Sequence, residues 1–261
     1  MGLFNSIRLG ASGAELSYTI DRSVRFDRGS VTYFNRTPSS AGNRRTFTIS
    51  CWVKKSENQL SQAILFAGPS TGTNNNNIDG FHFNGSDQLT FFGEISQSVQ
   101  YTLTTNRRFR DPSAWYHIVL AVDTTQGTSS NRVKLYINGV QETSFATENY
   151  PSQNSDRFVN ATNTHVIGYT SYSRILAGYM ADYYLIDGQQ LTPASFGETN
   201  ADTGQWIPID ASGLSFGTNG FYLNFSDNSG TTATTLGKDY SGTGNNLTPN
   251  GFSVAAGAGN D

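Results

Sequence analysis

The carboxylates of this chain are spaced too widely along the sequence to suggest a catalytic pair. Hydrolysis of a glycosidic bond requires two carboxyl groups that flank that bond. No two glutamates lie within four residues of each other; they are Glu15, Glu57, Glu94, Glu142, Glu148 and Glu198. His82, His117 and His165 have no metal-binding spacing, and no Gly-Lys-Ser/Thr phosphate loop occurs. The sequence therefore predicts a protein without enzymatic activity, and a glycosidase whose carboxylate pair comes from distant strands stays open as the alternative.

Two polar loops carry the side chains best suited to binding. Tyr169, Tyr172 and Arg174 fall in one short loop, and Asn75 and Asn76 fall in another. Aromatic rings beside amide and hydroxyl groups can hold a sugar, and tyrosine and arginine are also enriched in protein interfaces. Three interpretations of the tyrosine loop stay open: contact with a partner protein, contact with a glycan, and plain surface.

Composition narrows the classes of partner. Charged residues make up only 14% of the 261 residues and the net charge is −3, without the basic stripe that nucleic-acid binding requires. No apolar run is long enough to span a membrane, and no secretory signal is recognisable at residue 1 onward. Cys51 is the only cysteine, so no intrachain disulfide can form. We predict no nucleic-acid partner and no membrane partner.

Strands must position these loops, because the apolar residues follow a period of two. Residues 115–123 and 133–140 show the pattern most clearly: Ile118, Leu120 and Val122 share one face of the first run. Asn138-Gly139 then supplies residues that accept positive φ in a tight hairpin turn. Similar short runs recur every 8–15 residues between Gly- and Asn-rich turns. The pattern predicts an all-β protein built as a sandwich or barrel.

The two ends of the chain differ from this body. Residues 1–19 are predicted to form an arm that docks on a partner. The apolar side chains that would make this contact follow a loosely helical spacing; they are Leu3, Phe4, Ile7 and Leu9. The alternative is a frayed terminus. Residues 20–204 form the predicted sandwich, with one short helix near residues 193–198 that Thr192 would cap. Residues 205–261 are predicted to be an extension that contributes a strand and a Gly-rich tail.

Several segments in this order resemble the laminin-G-like branch of the concanavalin A-like lectin/glucanase superfamily. The resemblance covers about residues 20–200 and is carried by residues 48–53, 115–123, 133–140, 167–168 and 177–186. It implies an antiparallel jelly-roll of two sheets, whose relatives bind glycans or proteins, sometimes with Ca²⁺. Asp79, Asp123 and Asp182 lie at strand ends where relatives can hold metal. Because aspartates also serve ordinary turns, no metal ligand is assigned and no cofactor is predicted, while Ca²⁺ stays open.

Two further segments resemble uncharacterised proteins that are common among marine bacteriophages. They are residues 191–204 and 236–253. This resemblance implies a non-enzymatic virion structural protein, as a capsid decoration or as a tail or fibre component. Such a protein would assemble in the host cytoplasm, lie at the virion surface and contact other virion proteins or copies of itself. The alternative is a carbohydrate-binding module for adhesion to a host surface glycan.

Overall fold

The computed structural model describes residues 18–69, 77–170 and 174–255. Within these ranges the chain forms two antiparallel sheets, a separate two-stranded hairpin and two short 3-10 turns. None of the described helical segments is long and apolar enough to cross a membrane. The prediction of an all-β antiparallel sandwich is confirmed.

The strands divide between a front sheet and a back sheet. In chain order they are β1 Val24–Phe26, β2 Tyr33–Arg36, β3 Thr46–Lys55, β4 Gln62–Ala67, β5 Ile78–Phe83, β6 Gln88–Ile95, β7 Ser98–Arg108, β8 Tyr116–Asp123, β9 Val133–Ile137, β10 Val140–Gln141, β11 Phe145–Asn149, β12 His165–Ile167, β13 Gly178–Asp187, β14 Gly197–Thr199, β15 Trp206–Pro208, β16 Phe221–Leu223 and β17 Thr248–Asn250. The front sheet has the order β1-β13-β3-β8-β9-β10, and β16 also pairs with β13. The back sheet has the order β11-β7-β6-β5-β4-β12-β2-β17, and β14 pairs with β15 alone.

The main core lies between the two sheets and follows the predicted alternation. Ile118, Leu120 and Val122 of β8 are fully buried there, as are Val133 and Leu135 of β9. Burying an aliphatic side chain of this size contributes about 1.5–3 kcal/mol. The period-two pattern of the sequence therefore marks the inward face of both strands.

A second core covers the outer face of the front sheet. Residues of β8, β9, β13 and β16 that point away from the main core pack there against the segment that follows β13. Its members are Val119, Ala121, Tyr136, Tyr184, Ile186, Phe196, Ala211, Phe216 and Tyr222. Because the β14–β15 hairpin belongs to this covering segment, part of the front sheet is hidden from solvent and the remainder is left open beside it.

The helix predicted near residues 193–198 is shorter than expected. The helical residues are Pro193–Ser195, a single 3-10 turn, and the Thr192 side chain makes no capping hydrogen bond. Gly197–Thr199 is instead strand β14, paired with Trp206–Pro208. The cross-strand hydrogen bonds of this hairpin satisfy the backbone that a longer helix would have used.

The C-terminal part of the chain takes part in both sheets. Tyr222 in β16 lies opposite Tyr184 of β13, which extends the front sheet. Pro249 in β17 lies opposite Phe34 of β2 at the edge of the back sheet. The limits of the three predicted segments remain a prediction.

All three histidines are buried and neutral. Burial lowers the pKa of His82 to about 3, that of His117 to about 3 and that of His165 to about 4. The His165 ring is held between two backbone groups, because its Nε2 accepts from the Asn160 amide and its Nδ1 lies 2.8 Å from the Asn163 carbonyl oxygen. The folded protein therefore favours the neutral form of each histidine.

A buried ion pair ties the two sheets together at one end. Lys55 ends β3 of the front sheet, and Asp87 lies in the turn between β5 and β6 of the back sheet. The Lys55 Nζ lies 2.7 Å from the Asp87 Oδ1 and 3.0 Å from the Phe109 carbonyl oxygen. The side chains are 1% and 0% exposed. Removing either charge would destabilise the fold, because the remaining charge would be buried without a counter-ion and would be poorly solvated.

We expect the substitution Asp87→Asn to lower the free energy of unfolding by about 3–5 kcal/mol, because it leaves the Lys55 charge buried without a counter-ion. Urea denaturation measures the loss. The double variant K55M/D87N should recover much of this loss, since both charges are then gone.

Asp156→Asn is the matched control. Asp156 also accepts from a cation at 2.7 Å, but both side chains of its pair with Arg45 are 45% exposed. The loss of unfolding free energy in this variant should therefore stay within about 1 kcal/mol. Equal losses in both single variants would contradict the assignment.

We also expect the free energy of unfolding to fall as the pH is lowered from 6.5 to 5. The histidines take up protons in the unfolded chain below about pH 6.5, whereas in the folded protein they stay neutral until about pH 3 or 4. Acid therefore favours the unfolded state, by up to about 1.4 kcal/mol per pH unit for each histidine. Denaturation of the wild type and His117→Gln across this range measures the slope. The variant should depend less steeply on pH, and parallel profiles would refute the contribution of His117.

Candidate functional site

A cleft on the outer face of the front sheet is lined by all three tryptophans of the chain. Trp52 comes from β3, Trp115 directly precedes β8, and Trp206 begins β15; all three side chains are half-buried. Residues 18–23 form the opposite wall. The volume of this tryptophan cleft is about 470 Å³, within the range of about 300–1,000 Å³ found for small-molecule sites. We call residues 18–23 the strap.

Strand pairing places Trp52 in the middle of the outer face. Its neighbours across the sheet are His117 on β8 and Ala181 on β13. Cys51 and Val53, on either side of it along β3, are fully buried in the main core. The Trp52 and His117 rings lie 5.0 Å apart between centroids, at an interplanar angle of 31°. The alternation of β3 therefore turns one large aromatic ring outward, beside the small Ala181.

Trp206 reaches the same face from the β14–β15 hairpin. Its Nε1–H donates to the Nδ1 of His117 at 2.9 Å, and the two rings stack with centroids 5.9 Å apart at 22°. Gly139 and Gly197 leave the space that the indole occupies, since a Cβ at these positions would lie 2.4 Å and 2.6 Å from its carbon atoms. Gly139 has a φ of +80° and follows Asn138, whose φ is +49°, as the predicted Asn-Gly turn requires. The Asn138-Gly139 turn between β9 and β10 is thus also the surface on which the Trp206 indole lies.

The buried His117 ring contacts two of the three tryptophans, Trp52 and Trp206. Because its Nδ1 accepts from Trp206, the hydrogen of the neutral ring is assigned to Nε2, which lies 2.9 Å from the Ser50 hydroxyl. The low pKa caused by burial keeps the ring neutral. His117 is 1% exposed, so it orients the indoles of the cleft from below and leaves their open surfaces to a ligand.

Polar groups surround the aromatic rings of the tryptophan cleft. The strap contributes the carboxylate of Asp21, the guanidinium of Arg22 and the hydroxyl of Ser23, and the covering segment contributes the amide of Gln205. Asp21, Arg22 and Gln205 are exposed. Their two charges are opposite in sign, so the cleft presents hydrogen-bond donors and acceptors without a net charge. Such a surface suits a ligand that combines apolar faces with many hydroxyl groups.

A smaller depression lies on the other side of the strap. Its volume is about 280 Å³, and its lining includes Asp182, Asp210, Tyr222 and Asn224. Burial raises the pKa of the Asp182 carboxyl, which accepts from the Tyr222 hydroxyl at 2.8 Å. This depression is more polar in character than the tryptophan cleft and shares the strap with it.

Two residues of the predicted binding loop, Tyr169 and Arg174, pack against the other sheet. Tyr169 stacks on Tyr33 of β2, with centroids 4.9 Å apart at 26°. The Arg174 guanidinium lies over the rings of Phe66 and Phe92, 5.5 Å and 5.7 Å from their centroids. These contacts are on the outer face of the back sheet, whereas the three tryptophans are on the outer face of the front sheet. Tyr169 and Arg174 therefore do not take part in the tryptophan cleft.

The other residues proposed from the sequence lie outside the described ranges. They are Tyr172, Asn75 and Asn76 of the two loops, and Leu3, Phe4, Ile7 and Leu9 of the arm. Their roles remain predictions.

The three aspartates considered for calcium already accept hydrogen bonds from protein groups. Asp79 accepts from the Tyr101 hydroxyl at 2.8 Å, and Asp123 accepts from the Thr125 hydroxyl at 2.6 Å. Asp182 accepts from two tyrosine hydroxyls. Across residues 18–69, 77–170 and 174–255, no group of three or more His, Cys, Asp or Glu side chains is arranged to hold a metal ion. These hydrogen bonds give each of the three carboxylates a structural role, and the expectation about Ca²⁺ stays a prediction.

The sequence contains one signal that could have indicated the cleft. In the run 47–53 the alternation that buries Ile49 and Cys51 leaves Trp52 on the opposite face, and a large outward aromatic ring is worth examining as a contact surface. Trp115 and Trp206 give no such signal, because their approach to Trp52 depends on the pairing of distant strands.

We expect Gly139→Ala to displace the Trp206 indole, because the new methyl group would overlap the ring and the residue would hold an unfavourable positive φ. The tryptophan emission should shift to longer wavelength and the melting temperature should fall. Gly127→Ala is the control: its Cβ would meet no atom within 4 Å and its φ is not positive. An unchanged emission spectrum in Gly139→Ala would show that this glycine does not position Trp206.

Comparison with known proteins agrees with this architecture. A family model described as the concanavalin A-like lectin/glucanases superfamily, laminin G type, matches residues 28–195. No curated protein matches the sequence. Among solved structures, a candidate carbohydrate-binding protein of Bacteroides ovatus is similar with a TM-score of 0.56 and 15% identity, over 90% of this chain and 60% of that one. The chain thus spans only 60% of the Bacteroides protein.

Two further solved structures show weaker similarity. The heptameric SAP-like pentraxin of Limulus polyphemus has a TM-score of 0.48 and 16% identity, over 73% of this chain and 93% of that one. The CBM40 of the Ruminococcus gnavus IT-sialidase, bound to α2,3-sialyllactose, has a TM-score of 0.39 and 16% identity, over 56% of this chain and 89% of that one. With the family match covering more than half of the sequence, the chain belongs to the laminin-G-like family of the concanavalin A-like lectin/glucanase superfamily.

Proposed function

We propose that this protein is a non-catalytic carbohydrate-binding domain that holds a glycan in the tryptophan cleft. The observation that carries the proposal is the convergence of Trp52, Trp115 and Trp206, each half-buried, on one cleft of about 470 Å³. No other tryptophan exists in the chain. All three tryptophans surround one opening and none of them belongs to either core. Their rings therefore offer a surface on which a ligand can stack.

The chemistry of a sugar ring matches this surface. One face of a hexose carries aliphatic C–H groups, which pack on an aromatic ring and interact weakly with its π electrons. The edges carry hydroxyl groups, for which Asp21, Arg22 and Gln205 supply acceptors and donors. The hydrogen bond that Trp206 donates to the buried His117 keeps this indole in place before a ligand arrives. A preorganised site loses less entropy on binding.

The comparisons support the same proposal. Lectins belong to the superfamily in which the chain falls. The Bacteroides ovatus structure, which has the same fold, is named as a candidate carbohydrate-binding protein. Neither comparison identifies a sugar, and the proposal for this chain rests on the geometry of the cleft.

The absence of catalysis is part of the proposal. Of the described residues that line the tryptophan cleft, Asp21 alone has a carboxyl group, whereas glycoside hydrolysis requires two. Asp182 lies beyond the strap, where its two oxygens accept from Tyr18 and Tyr222. A carboxylate engaged in this way is poorly placed to donate a proton to a leaving group.

The resemblance to marine phage proteins supports a second, broader proposal. We infer from residues 191–204 and 236–253 that the domain is part of a virion, where a glycan-binding cleft would serve adhesion to the host surface. Mass spectrometry of purified particles tests this proposal, because a virion component is present there in a fixed ratio to the capsid protein. Absence of the chain from the particles would end the virion proposal and leave glycan binding untouched.

We expect Trp52→Ala to weaken glycan binding by about tenfold or more, because it removes the central stacking surface; tenfold corresponds to about 1.4 kcal/mol. A glycan array identifies the sugars bound by the wild type, and titration of the tryptophan fluorescence measures their affinity. Tyr169→Ala is the matched control, since it removes a half-buried aromatic ring from the other sheet. A loss of binding in Tyr169→Ala with none in Trp52→Ala would move the site to the loop first suggested by the sequence.

A further inference from the structure

The strap separates two depressions that would otherwise adjoin. Tyr18, Thr19, Ile20, Asp21 and Arg22 line both the tryptophan cleft and the smaller depression beyond it. Ala181 lines the first and the neighbouring residue of β13 lines the second. The strap therefore crosses the outer face of the front sheet as a partition between them.

The described contacts of the strap lie at Tyr18 and at the start of β1. At one end the chain enters β1, where Val24 pairs with Met180 of β13. Between these points, and within the part of the chain that the structure describes, no backbone hydrogen bond joins residues 18–23 to the rest of the protein. The Thr19 hydroxyl donates to the Asp21 Oδ1, which is inside the strap itself. Within the described residues, the side chain of Tyr18 therefore makes the main contact that holds this part of the strap on the sheet.

That contact is a cluster of hydroxyl groups around one carboxylate. The Tyr18 hydroxyl donates to the Asp182 Oδ2 at 2.8 Å, and the Tyr222 hydroxyl donates to the Asp182 Oδ1 at 2.8 Å. The two hydroxyl oxygens lie 2.9 Å apart. Asp182 is 3% exposed, so a lost donor would not be replaced easily by water. Burial raises the pKa of Tyr18 to about 12, which keeps its hydroxyl a donor at neutral pH.

An irregularity in β13 aims this carboxylate at the strap. Two residues, Asp182 and Tyr183, oppose the single residue Cys51 of β3, and Asp182 has a φ of +44°. A bulge of this kind re-aims a side chain at the point where it interrupts the strand pairing. Tyr183 remains in the main core, so Asp182 is free to point outward and receive Tyr18.

We propose that the strap is a latched wall, closed by the Tyr18–Asp182 bond, that restricts the tryptophan cleft to the end of a glycan chain. This inference rests on the proposed function. With the latch closed, a sugar chain that entered the cleft would meet the strap and could not continue. With the latch open, the two depressions join into one groove that extends from Trp115 to Asn224, and the interior of a chain can lie along it.

Tyr18→Phe tests the latch, because it removes the hydroxyl and keeps the ring. In the ligand-free protein we expect stronger quenching of tryptophan fluorescence by acrylamide, since all three tryptophans line the cleft that the strap closes. We also expect faster cleavage by trypsin after Arg22, followed by mass spectrometry. Tyr150→Phe is the matched control: it removes a tyrosine hydroxyl that donates to a carboxylate at 2.7 Å on the exposed edge of the back sheet. Asp182→Asn, which weakens the acceptor, should behave as Tyr18→Phe does.

A glycan array with paired probes tests the restriction to chain ends. Each probe carries a disaccharide either at the free non-reducing end or capped by one further sugar. The wild type should bind capped probes about tenfold more weakly, and Tyr18→Phe should reduce that difference to about threefold or less. Equal binding of capped and free probes by the wild type would overturn the end-binding inference. Unchanged quenching and cleavage in Tyr18→Phe would overturn the latch. If the wild type bound no glycan, the proposed function would fail, whereas quenching and cleavage would still decide whether the latch exists.

Discussion

The contact between Trp206 and His117 connects the covering hairpin to the front sheet, and the shape of the candidate site depends on it. His117 could not be buried at this position without a donor for its Nδ1 and a partner for its Nε2; Trp206 and Ser50 supply them. In return, the histidine fixes the angle of the indole. The hydrogen bonds that the buried His117 ring requires thus determine where the Trp206 indole lies on the outer surface of the sandwich.

The outer faces of the two sheets differ in how much of each is covered by other parts of the chain. The front sheet carries a second core and is covered over β8, β9, β13 and β16, which leaves an opening at the margin of that cover. Among the described residues, the outer face of the back sheet carries a small apolar cluster formed by Ala63, Phe66, Ile78 and Phe92. A ligand is held best at the boundary between covered and open surface, because there the neighbouring hairpin supplies a side wall that a flat sheet lacks. This explains why the cleft lies on the front sheet.

Much of the fold could be predicted from local patterns, and the site could not. The alternation in β8 and β9 indicates which residues face the core, and the Asn138-Gly139 turn indicates the hairpin; both depend only on neighbours in the sequence. The cleft depends on residues that are far apart, since Trp206 is 89 residues from the histidine that orients it. Tyr169 and Arg174 are suitable residue types for binding and lie against the other sheet, so their role stays a prediction separate from the tryptophan cleft. The predicted helix is shorter than expected for a similar reason, because Gly197 lies in strand β14 against Trp206.

The space that Gly139 and Gly197 leave for Trp206 also constrains how the protein can change over evolution. A larger residue at either glycine position would expel the indole, and a smaller residue at position 206 would leave a void against two bare stretches of backbone. Positions 139, 197 and 206 should therefore vary together among relatives, although they belong to three separate strands or turns. A relative that has lost this set has lost one wall of its cleft, whatever remains of the surrounding sandwich.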